Sequence, residues 1–295
     1  LRIIRYLQDS SAVIAAVTDQ DQVFPLQDTS FMKLIYRARE ENSTPLERVQ
    51  SQIASAHPLS VNWTDLPLLV PVEAPEVWAA GVTYQRSREA RNYEATEGRL
   101  DAATFYDKVY TAERPELFLK STQARTVGPA AEVCLRSDSQ WQVPEPELGL
   151  VLDRDGSILG YTIGNDMSCR DIEGENPLYL PQAKVWRQSC SIGPAIRLAD
   201  TVANPYDLEL SCRIYRQGEL AVNESASTGL LKRKLEELVT FLRRDNVLFD
   251  GTVLLTGTCI VPPNQFTLEP GDRIEITISQ IGTLINTAAL ADPGH

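Results

Sequence analysis

Short apolar runs separated by Gly, Pro, Asp and Asn dominate the chain, which is the spacing of strands rather than of long helices. LRIIRYL and AVIAAVT open it as two strands. VWAAGVTY, ELFLKST, EVCLR, ELGLVLD, SILGYTIG, LELSCRIYR, ELAVNES, TVLLTGT and RIEITIS continue in the same style. Helical periodicity is confined to a few stretches. SFMKLIYRAREEN is the first, and TPLERVQSQIASA the second, with Thr44 as N-cap, Pro45 at the first helical position and Glu47 closing a capping box. A late one, LLKRKLEELVTFLRR, is opened by Ser227 or Thr228; its Leu231, Leu235, Leu238, Val239 and Leu242 share one side and predict a core-facing stripe. Pro58, Pro67, Pro71 and Pro75 break the pattern and place a boundary near residue 70, between a small α+β domain (1–70) and a larger one (71–295). So many strands with so few helices predict a β-rich α+β body with peripheral helices, not a parallel α/β sheet.

One part of this pattern carries chemistry. Glu145 and Glu147 of PEPELGLVL sit at i and i+2, which on a strand point to the same face. LGLVLD, the turn Asp153-Arg154-Asp155-Gly156 and SILGYTIG read as a hairpin, which returns Asp166 of GYTIGNDMSCRD beside the pair. Three carboxylates without sulfur or imidazole suit Mg2+, Mn2+ or Ca2+ rather than Zn2+. An isolated Glu-x-Glu is more often a solvated strand face; the surrounding segments set this one apart.

A chain of 295 residues can bury a full core, as one large domain or two smaller ones. The net charge of −12 argues against nucleic acid or an anionic membrane as the main partner, and any anionic substrate would need a local cation. Cys134, Cys169, Cys190, Cys212 and Cys259 form no C-x-x-C pair and leave an odd one over, as expected of reduced thiols in a cytoplasm. No apolar run approaches the roughly 18 residues that span a bilayer. AVIAAV is too short for a signal core, and a start at Leu1 fits an initiator residue or short leader upstream. His57 precedes Pro58 in a polar connection and His295 is the last residue, so nucleophile systems that need a positioned imidazole lose their base. H-E-x-x-H, a G-x-G-x-x-G after a strand and G-x-x-x-x-G-K-[ST] are all missing.

PEVWAAGVTY, PELFLKST, PEPELGLVL, GYTIGNDMSCRDIE, TVLLTGT and EPGDRIEITISQIGTLINT, taken together and in this order, resemble the fumarylacetoacetate hydrolase superfamily. That resemblance implies a β-rich roll of mixed sheets, a homodimer or dimer of dimers, and one Mg2+ or similar ion per site on Glu145, Glu147 and Asp166, chelating a 2-keto or diketo acid. IEGENPLYLPQAKVWRQSCSIGP, with the small N-terminal domain, resembles the branch that dehydrates 2-keto-3-deoxy sugar acids. One departure matters. The hydrolases carry G-x-N-Y-x-x-H-x-x-E, whose His and Glu activate water; here Ser87 and Ala90 take those places, with Glu89 one residue off register, roughly 100° around a helix.

The reading that follows is a Mg2+-dependent hydro-lyase converting a 2-keto-3-deoxypentonate to 2,5-dioxopentanoate in cytoplasmic sugar-acid catabolism. The alternatives are a hydrolase or decarboxylase of a 2,4-diketo acid, and a keto-acid-binding protein without turnover. The resemblance offers Glu116 and Lys184 as base and acid in either order, Lys184 beside a cation that would lower its pKa. Against this, Lys184 could simply form a salt bridge to Asp166 or a neighbouring carboxylate, and Glu116 could be an edge charge in solvent. Lys120 alternates onto the face of Glu116 and Phe118 and could hold a substrate carboxylate, or be a solvated strand end. The resemblance places Thr258 on the substrate. Tyr84 could close over it, or be an ordinary buried tyrosine. Arg170 and Asp171 are expected to brace the metal loop.

Overall fold

In the computed structural model, which describes residues 1–96 and 105–291, the Pro146–Leu152 and Ile158–Asp166 strands form an antiparallel hairpin within a ten-stranded sheet. His295 lies outside the described residues. Asp153 closes the hairpin turn by accepting from the backbone N–H groups of Asp155 and Ser157, and Gly156 supplies a φ of 80°. Across the sheet the order is Val23–Pro25, Ser11–Val17, Arg2–Gln8, Cys190–Leu198, Ile158–Asp166, Pro146–Leu152, Thr252–Thr258, Glu76–Gly81 and Glu116–Thr122. Thr252–Thr258 runs parallel to Glu76–Gly81, and the short Thr126–Val127 strand joins Cys190–Leu198 in parallel. A five-stranded sheet orders Glu219–Ser227, Glu209–Arg216, Arg273–Ile278, Gly282–Leu290 and Glu132–Leu135, the last pair parallel. The sheets are therefore mixed, and the body is mostly β, as the short apolar runs imply.

The central strands are buried along their whole length because both faces are covered. Leu148, Leu150, Leu152 and Leu254 pack toward Leu210, Ile214 and Ile276 of the second sheet and Leu238 of the late helix. Val151, Val253 and Leu255 face the other way, onto Phe31, Leu34, Ile35 and Val49 of the two early helices. Such strands read as near-continuous apolar runs instead of alternating ones. The early helices span Phe31–Glu40 and Pro45–Ala54, with both halves of the Thr44–Glu47 capping box formed. Across residue 70 the sheet is continuous, since Arg2–Gln8 pairs with Cys190–Leu198.

Two elements differ from the sequence reading. The VWAAGVTY strand stops at Gly81: Val82 turns to a φ of 52°, and a helix begins at Gln85. The late helix covers only Leu235–Arg243; Ser227 caps a 3-10 turn at Thr228–Leu230 by accepting from Gly229 N–H. Between them, Lys232 donates to Tyr110 O, and Arg233 to Ala112 O and Glu113 O at 2.6 and 2.9 Å. Tertiary bonds hold that stretch extended against its helical propensity. Among the described residues, no helix is long and apolar enough to cross a membrane.

Candidate metal centre and active site

The hairpin does for the carboxylates what its spacing implies. Glu145 directly precedes the outgoing strand, Glu147 lies within it opposite Gly164, and Asp166 ends the returning strand with its N–H on Glu145 O at 3.0 Å. One oxygen from each of the three lies within 4.8 Å of the others, and all three residues are buried. Glu147 accepts from Gly257 N–H at 2.6 Å. That approach needs glycine: residue 257 has a φ of 95°, and a Cβ there would lie 1.9 Å from Thr83 Oγ1. Burial, then the charges of Asp166 and Glu145, push the Glu147 carboxyl well above the usual range. No ion pair to a Lys or Arg is formed by Glu147 among the described residues. Three converging buried carboxylates, one without a cationic partner among the described residues, fit a hard divalent ion such as Mg2+.

Cations surround the other two carboxylates. Lys184 ends a short helix, Leu180–Lys184, fully buried; its ammonium pairs with Glu145, with Asp166 at 3.2 Å and with Glu173 at 3.3 Å. Burial would lower its pKa, yet Asp166, Glu145 and Glu173 outweigh that and raise it, so the lowering expected beside a cation is opposed by three carboxylates. Arg170 bonds Glu145 Oε1 at 2.9 Å. Burial pushes Glu145 up, but Lys184, Arg170 and Arg91 prevail and hold it at about 2. Lys120 is no solvated strand end: it is buried, with Asp166 Oδ1 at 2.8 Å, Met167 O at 2.7 Å and Lys184 O as partners. Asp171 faces away and pins the preceding loop, accepting from Ser139 Oγ and Gln140 N at 2.6 Å each.

Glu116 opens the Glu116–Thr122 strand opposite Gly81. Its Oε2 is buried without a hydrogen-bond partner, so it is not an edge charge in solvent. Burial raises its pKa; Arg91 opposes that and Glu173 adds to it. A cavity of about 460 Å³ opens here, lined among others by Arg91, Lys108, Arg114, Glu116, Glu173 and Leu180. Thr258 lies opposite Glu147, with its hydroxyl turned to Ile260 O at 2.9 Å. Tyr84 packs in the core between the sheets, where burial raises its pKa well above the usual range. Ser87 sits in the first turn of the Gln85–Thr96 helix and its Oγ reaches back to cap that turn, donating to Tyr84 O and accepting from Tyr84 N–H, while Ala90 is buried and Glu89 exposed.

The sequence reading missed Glu173 and Arg91. Glu173 follows Arg170 by one helical turn in Arg170–Glu175 and is 1% exposed; Arg91 Nη1 meets its Oε2 at 3.0 Å. The only local signal was the i, i+3 spacing of Arg170 and Glu173, which puts both on one face.

Mixed sheets and a buried carboxylate cage beside a cavity define a metal-dependent enzyme of the fumarylacetoacetate hydrolase type. The chain belongs to that family: the model of the fumarylacetoacetate (FAA) hydrolase C-terminal region matches residues 86–289. It is 41% identical over 285 residues to the 2-dehydro-3-deoxy-D-arabinonate dehydratase of Saccharolobus solfataricus, covering 97% of this chain and 95% of that one. It is 46% identical over 245 residues, 83% of each chain, to a Haloferax volcanii protein named "Probable 2-keto-3-deoxyxylonate dehydratase". A solved 2-keto-3-deoxy-D-arabinonate dehydratase, complexed with magnesium and 2,5-dioxopentanoate, superposes with a TM-score of 0.84 at 36% identity over 99% of both chains.

Proposed function

We propose that this chain dehydrates a 2-keto-3-deoxypentonate, of the 2-keto-3-deoxy-D-arabinonate type, to 2,5-dioxopentanoate with Mg2+. The observation that carries the reading is the pairing of an absence with a presence. The places of the water-activating His and Glu hold a serine committed to capping and a buried alanine, while Glu116, its pKa raised by burial, lines the cavity as a proton donor. Hydrolysis has no activated water there; elimination needs none.

Glu145, Glu147 and Asp166 would hold the ion, which supplies Lewis-acid polarisation of a 2-keto acid and so acidifies its C3 hydrogens. The chain's own groups do the rest. Glu116 gives its proton to the C4 hydroxyl, the C4–O bond breaks, and water leaves as Lys184 takes a C3 proton. Lys184 is charged in its resting arrangement, so it first passes one proton to solvent and enters the elimination as the free amine. The Glu116 carboxylate then takes a proton from C5 while Lys184 returns one to C3. The C4=C5 enol so formed tautomerises to the aldehyde; Glu116 is again protonated, and Lys184, left as the free amine, regains its resting charge by taking a proton from solvent. Lys120 and Arg170 orient Asp166 and Glu145. Lys108 and Arg114 at the cavity supply the local cations that a chain of net charge −12 needs to attract an anionic acid. Thr258, opposite Glu147, and Tyr84, whose phenol is near enough to Glu147 to feel its charge, would be the residues on the substrate side of the cage.

The same proposal includes a homodimer or dimer of dimers, cytoplasmic sugar-acid catabolism, and a division near residue 70 drawn by where the site residues fall, since the sheet itself runs on across it. Each site residue lies after that point, and Trp63, Leu68, Pro129 and Ile285 line an apolar groove of about 590 Å³ suited to an oligomer contact. Lys184→Met and Glu116→Gln should each lower turnover by roughly 10²-fold or more, with far smaller effects on binding of pyruvate or 2-oxobutyrate. Near-normal turnover in either variant would remove that residue from the mechanism.

A further inference from the structure

We propose that Glu173 is a positioning residue that receives Lys184 when a divalent ion fills the carboxylate cage, and thereby sets the affinity of the cage for metal. The inference rests on the cage formed by Glu145, Glu147 and Asp166, of which Glu173 is not a member. Lys184 and a divalent ion are cations that draw on the same oxygens, since the ammonium pairs with Glu145 and Asp166. Like charges a few ångströms apart in a buried site repel strongly, so the two cannot share those oxygens on equal terms. Among the described residues, Glu173 is the one further carboxylate in ion-pair reach of Lys184, at 3.3 Å. It is built to stay in place. Its Oε1 accepts from Ser168 Oγ at 2.8 Å, its Oε2 faces Arg91 Nη1 at 3.0 Å, and the residue is 1% exposed. Among the described residues Lys184 and Arg91 form ion pairs with it, and Glu116 lines the same cavity. With Glu173 present, Lys184 gives up Glu145 and Asp166 without losing every anionic partner. Without it, the ammonium stays on the cage and competes with the metal.

The test is Mn2+ titration by calorimetry on the metal-stripped full chain, in wild type, Glu173→Ala, Glu173→Gln, Lys184→Met and the two double variants. Glu173→Ala should weaken Mn2+ binding about tenfold, and Glu173→Gln, which still accepts from Ser168 and Lys184, by less. In the Lys184→Met background each effect should shrink to about twofold or below, because the competitor is gone. Equal losses in both backgrounds would show that Glu173 acts on the ion by charge alone, and no loss in Glu173→Ala would end its role; either overturns the inference and leaves the cage intact. Failure of the wild-type chain to bind Mn2+ would remove the cage itself, and this inference with it.

Discussion

Gly81→Ala tests the role of Glu116 without touching a polar group. A Cβ at residue 81 would lie 2.0 Å from Glu116 Oε2 and 2.5 Å from its carboxyl carbon, against a floor of 3.0 Å for real contacts, so the carboxyl must retreat by about 1 Å. A displacement of that size at a reacting group costs about 10²-fold in rate, near 2.7 kcal/mol of activation free energy. The fold should not suffer, because the obstacle is the end of a flexible side chain and residue 81 has no positive φ. Stability should hold or rise by about 0.4–1 kcal/mol through the less flexible unfolded chain. Gly218→Ala is the opposite control: φ is 86° with nothing within 4 Å, so it should lose about 1–2 kcal/mol of stability and keep its turnover. The assays are aldehyde formation from the keto acid and thermal melting of each variant. Wild-type turnover in Gly81→Ala, with Mn2+ binding intact, would refute the placement of Glu116 at the reacting atoms.

Other perturbations follow from the same geometry. Glu147→Gln removes a carboxylate whose neighbours already disfavour its charge, so the chain should fold but lose divalent-ion dependence and activity; in wild type, chelator should silence turnover and Mg2+ or Mn2+ restore it. Gly257→Ala combines a strained φ with a clash on Thr83, and should lose at least about 2 kcal/mol of stability together with metal affinity, read by melting and calorimetry. The folded-state pKa of Glu116 lies above its unfolded value, so its contribution to stability is full in acid and is lost as pH rises through the folded pKa. Glu116→Gln lacks that loss, and its melting temperature relative to wild type should climb with pH over this window; a falling difference would contradict the shift.

The cage was legible because its determinants are local: an i, i+2 pair, a turn residue that caps its own loop, and a return strand of matching length. Lys184 was reachable only through family resemblance, since nothing in LPQAKVW marks a lysine that must fold back onto a hairpin. The burial of Glu116 was illegible for a related reason. Alternation along ELFLKST tells which residues share a face, not what covers that face. Arg91 and Glu173 meet only through the packing of two separate helices. The apolar period of the late helix runs on beyond its true start at Leu235, through a segment that Lys232 and Arg233 tie to distant carbonyls. Propensity there lost to tertiary bonding.

The dehydratase reading is tested most directly by following every carbon of the substrate. Uniformly 13C-labelled 2-keto-3-deoxy-D-arabinonate, incubated with the purified chain and Mg2+, should give one unbroken five-carbon spin system with an aldehyde at C5 and the keto acid retained, and acylpyruvates should be poor substrates. Pyruvate with a separate two-carbon fragment as the main product would show bond cleavage between carbons, and would contradict elimination.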